Sequence, residues 1–109
     1  VLVLATGGTI AGVQQQPGTL GSYRAGTLTA EQIIASVPEL GRHARVETEQ
    51  FSNVASTLIT PEQWLQLSRR VNAALARDDV AGVVVTHGTD RLEGTAFFLY
   101  LTVWSWKRV

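Results

Sequence analysis

Two short, uninterrupted apolar runs constrain this chain more than anything else in it. One is Val1-Leu2-Val3-Leu4-Ala5; the other spans Val80 to Val85 and ends in Val83-Val84-Val85. The first and the end of the second are continuous rather than alternating, and neither run is long enough for a helix. Such a segment reads as a strand buried on both faces, the pattern of a parallel sheet covered by helices. Each run then breaks into glycine and threonine. Thr6-Gly7-Gly8-Thr9 follows the first, and Thr86-His87-Gly88-Thr89 follows the second, with Asp90 next. In an open α/β sheet, ligands bind beyond the carboxyl ends of the strands. If the two strands are parallel neighbours, two hydroxyls and a carboxylate can face one small pocket.

The segments between the runs supply covering helices. Thr29-Ala30-Glu31-Gln32 and Thr60-Pro61-Glu62-Gln63 are capping-box patterns, the second strengthened by proline at the first helical position. The first predicts a helix carrying Ile33, Ile34 and Val37 that stops before Pro38. The second predicts a helix with Trp64, Leu67, Ser68, Val71, Ala74 and Leu75 on one face. Leu92 to Val103 reads as a third helix, with Leu92, Thr95, Ala96, Leu99 and Val103 on one face. Arg45 to Phe51 alternates weakly and predicts a strand, followed by a loop over Ser52 to Ser56. Ile10 to Leu28 is polar, glycine-rich and without apolar period. It is too long for an ordinary connection and reads as a functional lid or a disordered stretch. The order strand, lid, helix, strand, helix, strand, helix predicts a doubly wound, mostly parallel, Rossmann-like α/β sheet.

At 109 residues, 45% hydrophobic and 17% charged, the chain is one folded domain at most, or a piece of one. With zero net charge and no basic run, nucleic acid and anionic membrane are poor partners. No segment approaches the length of a transmembrane helix. The absence of cysteine removes disulfides, thiolate catalysis and thiolate zinc sites. His43 and His87 give no metal-ligand spacing, so no metal is expected.

Each candidate residue also has a plain structural reading. Thr9 is a nucleophile if a base takes its proton, or a turn residue bonding its own backbone. Asp90 can hold a substrate ammonium, or Asp90 or Thr89 can cap the helix that follows. Tyr23 can close onto a site from the lid, or anchor the lid by packing. Ser56 follows the second strand and can bind a ligand. His87, with no partner in sight, reads as structural. A phosphate-cradling role for Gly7-Gly8-Thr9-Ile10-Ala11-Gly12 is disfavoured, because the spacing and the lysine of such loops are missing and no helix follows.

Taken together, Ala5-Thr6-Gly7-Gly8-Thr9-Ile10-Ala11-Gly12 and Thr86-His87-Gly88-Thr89-Asp90-Arg91-Leu92-Glu93-Gly94-Thr95-Ala96 resemble the two signature motifs of the bacterial-type L-asparaginases, the asparaginase/glutaminase amidohydrolases. The resemblance covers residues 1–103 as a partial N-terminal domain and reaches the tail 104–109 only in part. It implies that Thr9 is the primary nucleophile, Tyr23 the lid tyrosine and Thr89 the second catalytic threonine. It implies that Ser56 binds the substrate's α-carboxylate and Asp90 its α-ammonium, with Thr57 and Gly88 beside them. The implied reaction is hydrolysis of L-asparagine, or of L-glutamine as well, without cofactor, in a parent protein that is a homotetramer. The run Leu92-Glu93-Gly94-Thr95-Ala96-Phe97-Phe98-Leu99 resembles the exported subgroup, which favours a periplasmic or secreted protein.

Three departures qualify the resemblance. Thr57 stands where the family has glutamine. Gly94 stands where glutamate is common, at a cost of about 1 kcal/mol in a helix. The family's catalytic lysine lies well downstream, whereas the single lysine here, Lys107, is too close to Thr89 in sequence to be that residue. Position 1 is not methionine, and the tail matches the entry to a further strand at Ser105, Lys107 and Val109 but not at Trp104, Trp106 and Arg108. The expectation is a truncated reading of a longer gene, inactive by itself. The rival expectations are a non-catalytic amino-acid-binding relic and a nucleotide-binding βαβ module.

Overall fold

The computed structural model describes residues 1–14 and 23–109, without the side chain of Tyr23. In chain order the elements are β1 (Leu2–Gly7), β2 (Val13–Gln14), β3 (Tyr23–Arg24), α1 (Ala30–Ala35), β4 (Glu47–Val54), α2 (Pro61–Leu75), β5 (Val83–Thr86) and α3 (Leu92–Thr102). The main sheet has the order β4-β1-β5, and both pairings are parallel. All six residues of β1 are buried, as its unbroken apolar sequence requires. The chain leaves β1 for β4 on one side, then crosses to β5 on the other. That reversal is the switch point at which doubly wound sheets hold ligands. It sets the carboxyl ends of β1 and β5 side by side, with Ala5 opposite Thr86.

Leu2, Leu4 and Val83 pack against Leu67, Val71, Ala74 and Leu75 of α2 and Leu99 of α3. The four α2 residues form one helical stripe, so a single face enters the core. Both capping boxes form. Thr60 Oγ1 accepts from the Gln63 amide and Gln63 Oε1 from the Thr60 amide, and Thr29 and Gln32 do the same for α1. The Ala30 amide also donates to Gln50 Oε1 at 2.8 Å, which ties the start of α1 to β4. Nearer the amino end of the sheet, Arg70 holds Glu49, and Arg77 holds Glu47 and Asp79, joining α2 and the turn after it to β4.

The expected segment from Ile10 to Leu28 is not uniformly irregular. A 3-10 turn covers Thr9–Ala11, and β2 and β3 pair antiparallel, Val13 with Arg24 and Gln14 with Tyr23. Two-residue strands are too short to leave a periodic trace. The strand expected over Arg45 to Phe51 runs instead from Glu47 to Val54 and absorbs Ser52 and Asn53, because Ser52 Oγ donates to Thr6 O and Gly8 N to Val54 O. Val80 is core, but β5 begins only at Val83. The first helix ends at Ala35, and Val37 is exposed before a 3-10 turn over Pro38–Arg42. On α3, Thr95 and Leu99 are buried and Val103 is partly so, while Leu92 and Ala96 are exposed. In the tail, Arg108 makes an isolated parallel bridge to Gly82, its carbonyl accepting from Val83 N at 3.0 Å.

Candidate active site

Each strand of the main sheet runs, within a residue or two, into a 3-10 turn that opens on a hydroxyl residue. The turns are Thr9–Ala11 after β1, Ser56–Leu58 after β4 and Thr89–Arg91 after β5. The switch-point topology brings all three turns to one end of the sheet.

Glycine makes the approach close enough to build a site. A methyl group on Gly8 would fall 2.4 Å from both Cα and N of Gly88. A methyl group on Gly88 would fall 2.7 Å from Ser56 Oγ and 3.1 Å from Gly8 Cα. The two motif loops therefore touch backbone to backbone, and the buried Ser56 side chain sits on the same junction. Gly8 also has φ of 77°, a region that side-chain-bearing residues avoid.

Hydrogen bonds lock the junction. Thr6 Oγ1 donates to Thr86 O, and Ser52 Oγ donates to Thr6 O, each at 2.8 Å, so the carboxyl ends of β5, β1 and β4 are laced in series. The far end of the lid segment is fixed to the first loop through Gly26 N to Gly8 O at 3.1 Å and Leu28 N to Ala11 O at 2.8 Å. Ser56 Oγ donates to Asp90 Oδ2 at 3.4 Å, a long bond that couples the second and third turns. Thr9, Thr89 and Asp90 are solvent-accessible while the backbone beneath them is buried at Gly88. The capping alternative for Asp90 and Thr89 is not realised: the N-cap of α3 is Arg91, and no side chain bonds there.

His87, expected to be structural and without a partner, has two. Its Nδ1 lies 2.7 Å from Gly88 O and its Nε2 lies 2.9 Å from Thr95 Oγ1. Trp64 Nε1 donates to the same Thr95 Oγ1 at 2.8 Å. Thr95 and Trp64 read in sequence only as core positions of their helices, because pairings across eight and 31 residues leave no local signal.

Of the expected site residues, Thr9, Ser56, Gly88, Thr89 and Asp90 lie on the three converging turns or at their N-caps. Thr57 is the exposed second residue of the middle turn. Tyr23 pairs through its backbone with Gln14 at the base of the lid, but its side chain lies outside the described residues. Lys107 is elsewhere: its Nζ donates to Arg77 O at 2.6 Å, toward the amino end of the sheet. Among the described residues no cluster of histidine, cysteine or carboxylate could hold a metal ion. None of the described helices is long and apolar enough to cross a membrane. A cavity of about 460 Å3 lies behind the site rather than at the hydroxyls, between β5, α3 and the tail, with His87 and Thr95 in its wall.

The whole chain, residues 1–109, matches the family described as "Asparaginase, N-terminal". It is 51% identical over its full length to the L-asparaginase 2 of Bacillus subtilis (strain 168), covering 29% of that protein. It is 50% identical over 101 residues to the glutaminase-asparaginase of Pseudomonas fluorescens biotype A, covering 93% of this chain and 28% of that one. The crystal structure of a probable cytoplasmic L-asparaginase from Campylobacter jejuni superposes with a TM-score of 0.84 at 38% identity, over 90% of this chain and 30% of that one. The chain thus spans somewhat under a third of the length of these relatives.

Proposed function

Because the chain belongs to the asparaginase family and matches its N-terminal region, we propose that it carries the nucleophile-bearing part of an amidohydrolase that converts L-asparagine and water to L-aspartate and ammonia. The junction of Gly8, Gly88 and Ser56 is the observation that carries this reading. It sets a hydroxyl turn from β1 against one from β5, with a carboxylate and a serine alongside.

Thr9 Oγ attacks the side-chain amide carbon, the C–N bond breaks, and ammonia leaves with the added proton. Water then cleaves the Thr9 ester and releases aspartate. Backbone donors around Thr89 stabilise the oxyanion as it forms, an effect that is strong where the donors are fixed in advance. Asp90 takes the substrate ammonium, and Ser56 turns its hydroxyl from Asp90 to the α-carboxylate. Gly88 leaves room for the substrate backbone, Thr57 lies beside the carboxylate, and Tyr23 closes the site from the lid. Lys107 does not serve as a base for Thr89, since its amine is committed at the other end of the sheet. The lysine, like the tetrameric assembly, belongs to the longer polypeptide that we propose contains this chain. Export is proposed on the Leu92 to Leu99 run alone.

A second reading, broad amide specificity, is favoured by the 50% identity to a glutaminase-asparaginase. Ammonia release by the full-length polypeptide, compared on asparagine and glutamine, tests both. Activity confined to asparagine supports the first, comparable rates support the second, and no release from either refutes both.

A further inference from the structure

We propose that His87 is a positioning residue that aims the Gly88-Thr89 peptide. For a neutral imidazole the hydrogen-bond chain admits one assignment of protons. An indole nitrogen only donates, so Trp64 Nε1–H gives its proton to Thr95 Oγ1. A carbonyl only accepts, so the 2.7 Å contact between His87 Nδ1 and Gly88 O requires the proton on Nδ1. The neutral ring then has a bare Nε2, which accepts the Thr95 hydroxyl proton at 2.9 Å. Of the two neutral tautomers, only the one with its proton on Nδ1 makes all three bonds. The opposite tautomer sets a bare nitrogen against a carbonyl oxygen and leaves the Thr95 proton without its acceptor. His87 and Thr95 are both buried, 8% and 2% exposed, where such losses are not made good by water.

The consequence falls on the site. The Gly88 carbonyl and the Thr89 amide belong to one planar trans peptide, and in that plane C=O and N–H point in opposite directions. A bond that fixes the carbonyl toward the imidazole therefore fixes the Thr89 N–H away from it. Thr89 opens its 3-10 turn with Gly88 as N-cap, so its amide has no partner within the turn. The other end of the relay is anchored by packing, since Trp64 stacks on Phe98 with ring centroids 5.6 Å apart. The indole also packs over Gly94, where a methyl group would make an ordinary contact 3.5 Å from Trp64 Cη2. His87 touches no reacting atom and acts through the peptide plane. The catalytic consequence rests on the amidohydrolase reading; the tautomer does not.

The test has two arms. In the 109-residue chain, nitrogen-15 NMR of the imidazoles reads the tautomer, with His43→Gln to assign the two histidines. At a pH where the ring is neutral the expected result is the Nδ1–H tautomer, and the Nε2–H tautomer overturns the proposal. In the full-length polypeptide, His87→Gln keeps an acceptor for Thr95 but no donor for Gly88 O, whereas His87→Asn keeps the donor. His87→Gln is expected to lower kcat about fivefold, the loss of roughly one hydrogen bond, with KM little changed, and His87→Asn is expected to restore most of it. Equal effects of the two variants, or a loss confined to KM, overturn the positioning role. Absence of turnover in the wild type overturns the amidohydrolase reading instead, and the tautomer arm still decides the proton assignment.

Discussion

Replacing Gly8 by alanine tests the backbone contact on which the site is built. The new methyl group would stand 2.4 Å from Gly88 Cα, against backbone that cannot swing aside as a flexible side chain can. Overpacking of this kind costs about 1–3 kcal/mol. The residue also sits at φ of 77° and ψ of −161°, a region kept almost entirely by glycine, which adds roughly 1–3 kcal/mol for any residue with a Cβ. A loss of about 2–6 kcal/mol is a large part of the roughly 5–15 kcal/mol that holds a domain together. Gly41→Ala is the matched control, because a methyl group there meets nothing within 4 Å and φ is unexceptional. Urea unfolding of both variants and the parent, read by far-UV circular dichroism, measures the difference. The midpoint should fall sharply for Gly8→Ala and move little for Gly41→Ala, with the urea dependence unchanged. If the two variants unfold at the same urea concentration, the close approach of the loops is wrong.

Three further expectations use the same assay. Thr60→Ala removes half of a formed capping box and should cost about 1 kcal/mol, with Thr60→Ser recovering most of it. Leu67→Ala opens a cavity at a position 1% exposed between the sheet and α2, and should cost about 2–5 kcal/mol. Arg77, hydrogen-bonded to Asp79, holds that carboxyl below the usual carboxylate range. A depressed folded-state value gives stability that is present above about pH 4 and lost as pH falls through the folded value. The unfolding midpoint of Asp79→Asn should therefore fall less steeply than that of the parent below pH 4, while an equal slope would show that the pair contributes nothing.

The parts of the fold legible in the sequence are those whose causes are local. The capping boxes at Thr29 and Thr60 lie within four residues and formed as expected. The continuous apolar run of β1 stated its own burial, and the two glycine-threonine motifs mark loops that the structure brings together. What could not be read depends on distant partners. Ser52 and Asn53 look like loop residues until Thr6 O and Val54 O supply the bonds that extend the pairing. The contact of Gly8 with Gly88 joins residues eighty positions apart, and sequence spacing says nothing of it. His87 looked solitary because Thr95 and Trp64 reach it only after α2 and α3 have packed. Leu92 and Ala96 fit the helical stripe of α3, yet they border the cavity beside α3 instead of entering the core.

The central claim is that the hydroxyl of Thr9 is the nucleophile of an asparagine-hydrolysing site completed by the turn of Thr89. Its most direct test is steady-state ammonia release from L-asparagine by the full-length polypeptide, comparing the parent with Thr9→Ala and Thr89→Val. Each substitution should lower kcat by on the order of 10,000-fold while leaving the urea midpoint nearly unchanged. Turnover within a few-fold of the parent in the Thr9→Ala protein would contradict the account.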